Sequence, residues 1–123
     1  MSEAKQRRLA KALGRSLGAQ RERAGLTQEQ VAEMLGIGSQ AVSRMERGAA
    51  VPTLFRLFEF ADALNCRVDE LLVAASDRGA DQAALVARDI GKLGDRDREL
   101  VVGVVRLMVQ HLPPRAPERR GRG

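Results

Sequence analysis

The sequence predicts an all-α protein built from short helices. Apolar residues recur three and four positions apart in several segments between residues 13 and 112, which is the spacing of helices with one buried face. Residues that begin and end helices separate these segments. Thr27, followed three residues later by Gln30, forms a capping-box pattern, and Gly36 permits the left-handed turn that ends a helix. Pro113 and Pro114 end the last segment.

The segment TQEQVAEMLGIGSQAVSRMERG, residues 27–48, predicts two short helices joined by a glycine turn. Five apolar residues would face a common core from the two helices: Val31, Ala32, Leu35, Val42 and Met45. We expect Gly36 to form the turn and, with Ala32, to be small where the helices cross most closely. This arrangement is a helix-turn-helix, whose second helix lies in the major groove of DNA.

The second helix, residues 39–47, has its polar residues on the arc opposite the apolar one. They are Ser39, Gln40, Ser43, Arg44 and Arg47. A glutamine can bond an adenine edge twice, an arginine can bond a guanine edge twice, and serine reaches bases or phosphates. Such a set is either the solvated face of an amphipathic helix or a base-reading surface. The turn that precedes it favours base reading.

Three stretches resemble a known family: LGRSL at 13–17, ERAGLTQEQVA at 22–32 and VPTLFRLFEFADALNCRVDELL at 51–72. On these motifs the chain resembles the phage-repressor-like regulators, also called the Cro or xenobiotic-response-element type, over residues 13–72. The resemblance implies a five-helix, lambda-repressor-like DNA-binding domain. It also implies a regulator, usually a repressor, that binds an inverted-repeat operator as a homodimer.

The resemblance also implies roles for individual residues. The positions at which the family reads bases are occupied by Ser39, Gln40 and Arg44, with Ser43 as a further candidate. The expected contacts to the DNA backbone come from Gln28, Thr27, Arg47 and Thr53. Arg21 and Glu46 occupy positions of an internal ion pair between the first and third helices, and Gly36 is the structural turn residue.

The predicted DNA-binding domain, residues 13–75, follows a basic segment, residues 1–12. That segment either extends the first helix or forms an arm along DNA. We expect the fourth helix to open at Thr53. The fourth and fifth helices are expected to bury Leu54, Leu57, Phe58, Ala61, Leu64, Val68, Leu71 and Leu72.

The pattern of apolar residues in 76–112 predicts a helical extension of two helices. One lies near 81–92, and the other begins after Gly94 with Asp95 as its N-cap. The last helix has a wide apolar stripe: Leu100, Val101, Val104, Val105, Leu107, Met108 and Leu112. It either packs on the core or pairs with a second subunit, and we prefer dimerisation. The alternative function is an antitoxin-type protein whose C-terminal helices bind a partner protein while it regulates its own promoter. Residues 113–123 predict a disordered basic tail.

Charge and aromatic content indicate which class of molecule the protein binds. The 21 Lys and Arg residues exceed the 16 Asp and Glu, giving a net charge of +5 that favours a phosphate partner. With three Phe and no Tyr or Trp, the chain lacks the stacking surfaces of single-strand binders, so double-stranded DNA is the expected partner.

The lone Cys66 and lone His111 form no metal site, and no catalytic residues or cofactor motif are recognisable. Without an apolar span or signal peptide, we expect no membrane contact and a cytoplasmic, nucleoid-associated bacterial protein.

Overall fold

The structure is a computed structural model that describes residues 1–115, and this part of the chain is helical. Its elements are α1 (Glu3–Arg23), α2 (Gln28–Leu35), α3 (Ser39–Glu46), α4 (Leu54–Leu64), α5 (Val68–Ala75), α6 (Gly79–Gly91) and α7 (Asp95–His111). The chain divides into two compact units between Leu85 and Val86, inside α6. The prediction of a disordered tail falls mainly on residues 116–123, which lie outside the described residues.

Side-chain caps fix the helix boundaries that the sequence predicts. The Thr27 N–H donates to Gln30 Oε1 at 2.9 Å and the Gln30 N–H donates to Thr27 Oγ1 at 3.1 Å, which completes the capping box of α2. Gly36 ends α2 in the left-handed region, with φ +69°. Thr53 caps α4 by accepting the Arg56 N–H at 3.2 Å. The predicted cap of α7 is wrong by one residue, because Gly94 is the N-cap and Asp95 lies in the first turn.

The core of the first unit lies where α1 to α5 meet. Phe60, Leu17, Leu71, Val31 and Val42 have the largest fully buried side chains. The Ser16 hydroxyl, also buried, donates to the Leu71 carbonyl oxygen at 3.0 Å and joins α1 to α5. Each of the five helices thus contributes one stripe to a single core, as the helix-turn-helix prediction requires.

Three residues predicted for this core are exposed instead. Leu54 and Phe58 are 60% and 53% exposed, and Leu72 is 44% exposed. The buried residues of α4 are instead Leu57, Phe60, Ala61 and Leu64, so Phe60 takes the place predicted for Leu54 and Phe58. The helix is therefore rotated relative to the expected stripe, and its first turn places apolar side chains in solvent.

The closest helix approach also differs from the expected one. A Cβ on Gly36 would have nothing within 4 Å, so Gly36 is required for its left-handed φ and not for helix crossing. The close approach is at Gly14 of α1, where a Cβ would stand 2.4 Å from the Glu46 carbonyl oxygen and 2.5 Å from that of Met45. The backbone of α1 therefore packs directly on the C-terminal end of α3.

In the second unit, none of the described α7 residues is buried. The Arg98 guanidinium donates to the Leu93 carbonyl oxygen at 2.7 Å and to Asp95 Oδ1 at 3.0 Å, which fixes the turn between α6 and α7. The exposed apolar side chains of α7 are Leu100, Val104, Val105, Leu107, Met108 and Val109, followed by Leu112. No helix among residues 1–115 is long and apolar enough to cross a membrane.

Candidate nucleic-acid interface

The outer face of α3 is held in place by the residues on its inner face. Val42 and Met45 are buried in the core, so the opposite side of this helix points outward. Gln40 and Arg44 are exposed there, and Ser39 and Ser43 are half-buried beside them. Neither Gln40 nor Arg44 makes a side-chain hydrogen bond or ion pair with another of residues 1–115. Their amide and guanidinium donors are therefore available to base edges or phosphates.

The predicted backbone-contacting residues lie at helix ends. The exposed Arg47 is the C-cap of α3, and its Nε donates to the Ser43 carbonyl oxygen at 3.3 Å. Thr27 and Thr53 are N-caps whose hydroxyl oxygens each accept a backbone N–H. Accepting that bond leaves each hydroxyl hydrogen free to be donated, so a phosphate can still be bound without loss of the cap.

A partly buried ion pair holds this arrangement together. Arg21 Nε donates to Glu46 Oε2 at 2.8 Å and Arg21 Nη2 donates to Glu46 Oε1 at 3.0 Å, a bidentate pair between α1 and α3. Arg21 Nη1 also donates to the Leu26 carbonyl oxygen at 2.8 Å. The hydrogen bond to Glu46 raises the pKa of the Arg21 guanidinium, against an opposing effect of burial. The pair thus fixes the C-terminal end of the exposed helix relative to α1.

Gln28 belongs to the same network. Its Nε2 donates to Glu46 Oε1 at 3.2 Å, which joins the start of α2 to the end of α3. The second hydrogen of that amide has no acceptor among residues 1–115. The capping box satisfies the N–H groups of Thr27 and Gln30, whereas the N–H groups of Gln28 and Glu29 bond to nothing in the described chain. Free N–H groups at a helix start are a common phosphate-binding arrangement.

The structure adds Lys11, a basic residue of the segment 1–12, to the candidate interface. Gly48, in the loop after α3, lies against α1 so closely that a Cβ there would be 2.7 Å from the Lys11 Cα. This contact places the exposed Lys11 beside the loop that follows Arg47, one of the expected backbone-contacting residues. Only the crossing of α1 over α3 brings them together, and no spacing along the chain contains that information.

Comparison with known proteins agrees with this geometry. The helix-turn-helix family HTH_3 matches residues 17–71. An HTH-type transcriptional regulator of Sinorhizobium fredii, y4dJ, is 35% identical over 69 residues, which cover 56% of this chain and 90% of that protein. The chain belongs to the helix-turn-helix family of transcriptional regulators.

Two further relatives extend the comparison. The cryptic phage CTXphi transcriptional repressor RstR of Vibrio cholerae is 28% identical over 93 residues, covering 76% of this chain and 83% of that protein. The crystal structure of the clp gene regulator ClgR from Corynebacterium glutamicum has 30% identity and a TM-score of 0.53, covering 55% of this chain and 87% of that one. Members of this helix-turn-helix family are transcriptional regulators that bind double-stranded DNA, and they are not enzymes. The predicted family and the all-α fold are confirmed.

Proposed function

We propose that this helix-turn-helix protein is a transcriptional repressor that binds an inverted-repeat operator as a homodimer. The observation that carries the proposal is the outer face of α3, where Gln40 and Arg44 have no partner among residues 1–115. The groups that we propose contact the DNA backbone lie at helix ends: Gln28 at the start of α2, the C-cap residue Arg47, and the N-cap hydroxyl groups of Thr27 and Thr53. The similarity to a phage repressor favours repression.

The proposed roles divide by the kind of contact. Gln40 and Arg44, with the half-buried Ser39 and Ser43, read base edges in the major groove. Gln28 and Arg47 contact phosphates, which position the helix without selecting a sequence. In a two-fold dimer the two copies of α3 enter successive turns of the major groove. Half-site centres then lie roughly 10 base pairs apart.

Selection of bound duplexes from a random pool, followed by affinity measurements at fixed ionic strength, tests base reading. Arg44→Ala should cost about 1–3 kcal/mol on the selected site and relax the choice at one base pair. Arg67→Ala is the charge control, since it removes the same charge from an exposed arginine, the N-cap of α5, whose Nε pairs with Asp69 Oδ1 at 3.0 Å. Equal loss on every duplex sequence would make Arg44 a phosphate contact, and loss equal to that of the control would remove it from the interface.

The second unit supports the dimer. The apolar stripe of α7 lies in solvent, with Leu107, Met108 and Leu112 between 57% and 61% exposed. A run of exposed apolar side chains on one helix marks a protein interaction surface. A second copy of α7 is the proposed occupant, because an inverted-repeat operator needs two identical heads held together.

Mass measurement of the free protein tests the dimer directly. A homodimer has twice the 13.4 kDa mass of one chain. Met108→Glu should shift the protein toward the monomer, since it places a charge in the stripe. Gln110→Glu, which adds the same charge on the opposite side of the helix, should leave the dimer intact. A wild-type monomer that forms a complex only with a protein expressed beside it would instead favour the antitoxin-type alternative.

A further inference from the structure

A cleft of about 440 Å³ lies in the first unit between the N-terminal half of α1 and the end of α5. Its basic lining residues are Lys5, Arg8, Lys11, Arg15 and Arg78, against the single acidic residue Asp77. Lys5, Arg8 and Arg15 follow one another along one side of α1, because their spacing of three and seven residues returns to the same face. The two remaining cations are Lys11, also on α1, and Arg78, in the loop after α5.

These cations are not neutralised by any residue in the described part of the chain. None of the five basic side chains makes an ion pair or a side-chain hydrogen bond with another of residues 1–115. Nearby Arg7, which does not line the cleft, does have a partner, since its Nη1 lies 4.0 Å from Glu3 Oε2. Like charges held close together repel one another, and a bound anion would remove that repulsion.

The floor of the cleft is apolar. Leu9 and Leu72, which are 43% and 44% exposed, lie in it with Ala12 and Ala75. Leu72, which is predicted for the core, instead lines the cleft from the middle of α5. DNA phosphates need only exposed cations and gain nothing from leucine side chains. Apolar walls with a few convergent charged groups are typical of small-molecule sites, and the volume lies within their usual range.

The loop that closes one end of the cleft is held in a defined conformation. The Ser76 hydroxyl donates to Asp81 Oδ2 at 2.6 Å and accepts the Arg78 N–H at 3.2 Å. These two bonds fix the backbone that carries Asp77 and Arg78. The cleft is thus bounded by a regular helix on one side and by an ordered turn on the other.

We propose that this cleft binds a small organic anion with an apolar body, in which the cations hold a carboxylate, sulfonate or phosphate group and the leucines contact the hydrocarbon. Apart from Lys11, which lies beside Gly48, the cleft shares no residue with the candidate nucleic-acid interface, and the proposal does not depend on the repressor assignment. Charge selects the ligand class, and the apolar floor distinguishes it from inorganic phosphate.

Fluorescence titration with 1-anilinonaphthalene-8-sulfonate tests the site, with N-phenyl-1-naphthylamine as a neutral probe of the same aromatic body. The sulfonate should bind at one site per chain and about tenfold more tightly than the neutral probe. Arg8→Gln combined with Arg15→Gln should weaken the sulfonate about tenfold or more. Leu72→Gln should weaken both probes.

Matched variants separate the cleft from other surfaces. Arg7→Gln removes a cation from the same helix turn but outside the cleft, and should leave sulfonate binding unchanged. Leu100→Gln removes an apolar side chain from the exposed stripe of α7, and it should also leave sulfonate binding unchanged. Equal affinities of the two probes, or equal effects of Arg7→Gln and Arg8→Gln, would overturn the proposal. So would unchanged sulfonate binding in the Arg8 and Arg15 variant accompanied by weaker binding to random-sequence duplexes, since the cations would then serve the DNA backbone. Circular dichroism verifies the fold of each variant.

Discussion

The crossing of α1 over α3 depends on the absence of one side chain, and Gly14→Ala tests it. The substitution places a Cβ 2.4 Å from the Glu46 carbonyl oxygen and 2.5 Å from that of Met45. Both are backbone atoms, so relief requires the helices to separate. Overpacking costs about 1–3 kcal/mol, occasionally more, while Gly to Ala inside a helix gains about 1 kcal/mol. Two backbone clashes correspond to the upper end of that cost, and the expected net loss is about 2 kcal/mol.

Urea and thermal unfolding followed by far-UV circular dichroism measure this loss. A change of that size in a domain this small lowers the melting temperature by on the order of 10 °C. Gly103→Ala is the control, because a Cβ on Gly103 in α7 would have nothing within 4 Å. It should be neutral or slightly stabilising. A Gly14→Ala protein as stable as the wild type would refute the close packing of α1 on α3.

Four other substitutions, two of them combined in one variant, and one chemical modification test the contacts above. Phe60→Ala should lower the free energy of unfolding by about 3–5 kcal/mol, as measured in urea, because the side chain is 1% exposed. Arg21→Met should destabilise the protein by leaving the Glu46 carboxylate unpaired, and adding Glu46→Leu should recover part of the loss in the same assay. Gln28→Ala should weaken binding to all duplexes alike, with no change in the selected sequence. Burial raises the pKa of the Cys66 thiol, so at mildly alkaline pH less thiolate is present and iodoacetamide should react more slowly than with free cysteine.

Local signals made the helix-turn-helix predictable from sequence. The capping box of Thr27 and Gln30 and the left-handed Gly36 depend only on residues within one turn of each other. The same is true of Thr53 as the cap of α4. The ion pair of Arg21 with Glu46 was predicted from the family resemblance alone, since no local pattern joins residues 25 positions apart.

The register of α4 could not be predicted because two stripes fit it equally well. The sequence LFRLFEFADAL is apolar on most sides, so positions 54, 57, 58 and 61 and positions 57, 60, 61 and 64 both follow helical spacing. The core accommodates the second set and buries Phe60. The burial of one face is decided by the neighbouring helices, and periodicity in a single segment does not contain that information. Lys11 beside Gly48 and the cation-lined cleft likewise depend on how distant helices pack.

The face that α1 turns toward Glu46 restricts how this helix can vary in length. Gly14, Gly18 and Arg21 are four and three residues apart, and all three meet Glu46: the first at its carbonyl oxygen, the other two at its carboxylate. One residue inserted between Gly14 and Arg21 would rotate the parts of α1 before and after it by about 100° relative to each other. The close packing at Gly14 and the ion pair of Arg21 could then not form together. Insertions should therefore be tolerated before Lys11 or after Arg23, and an alanine inserted after Gly18 should abolish folding of the first unit.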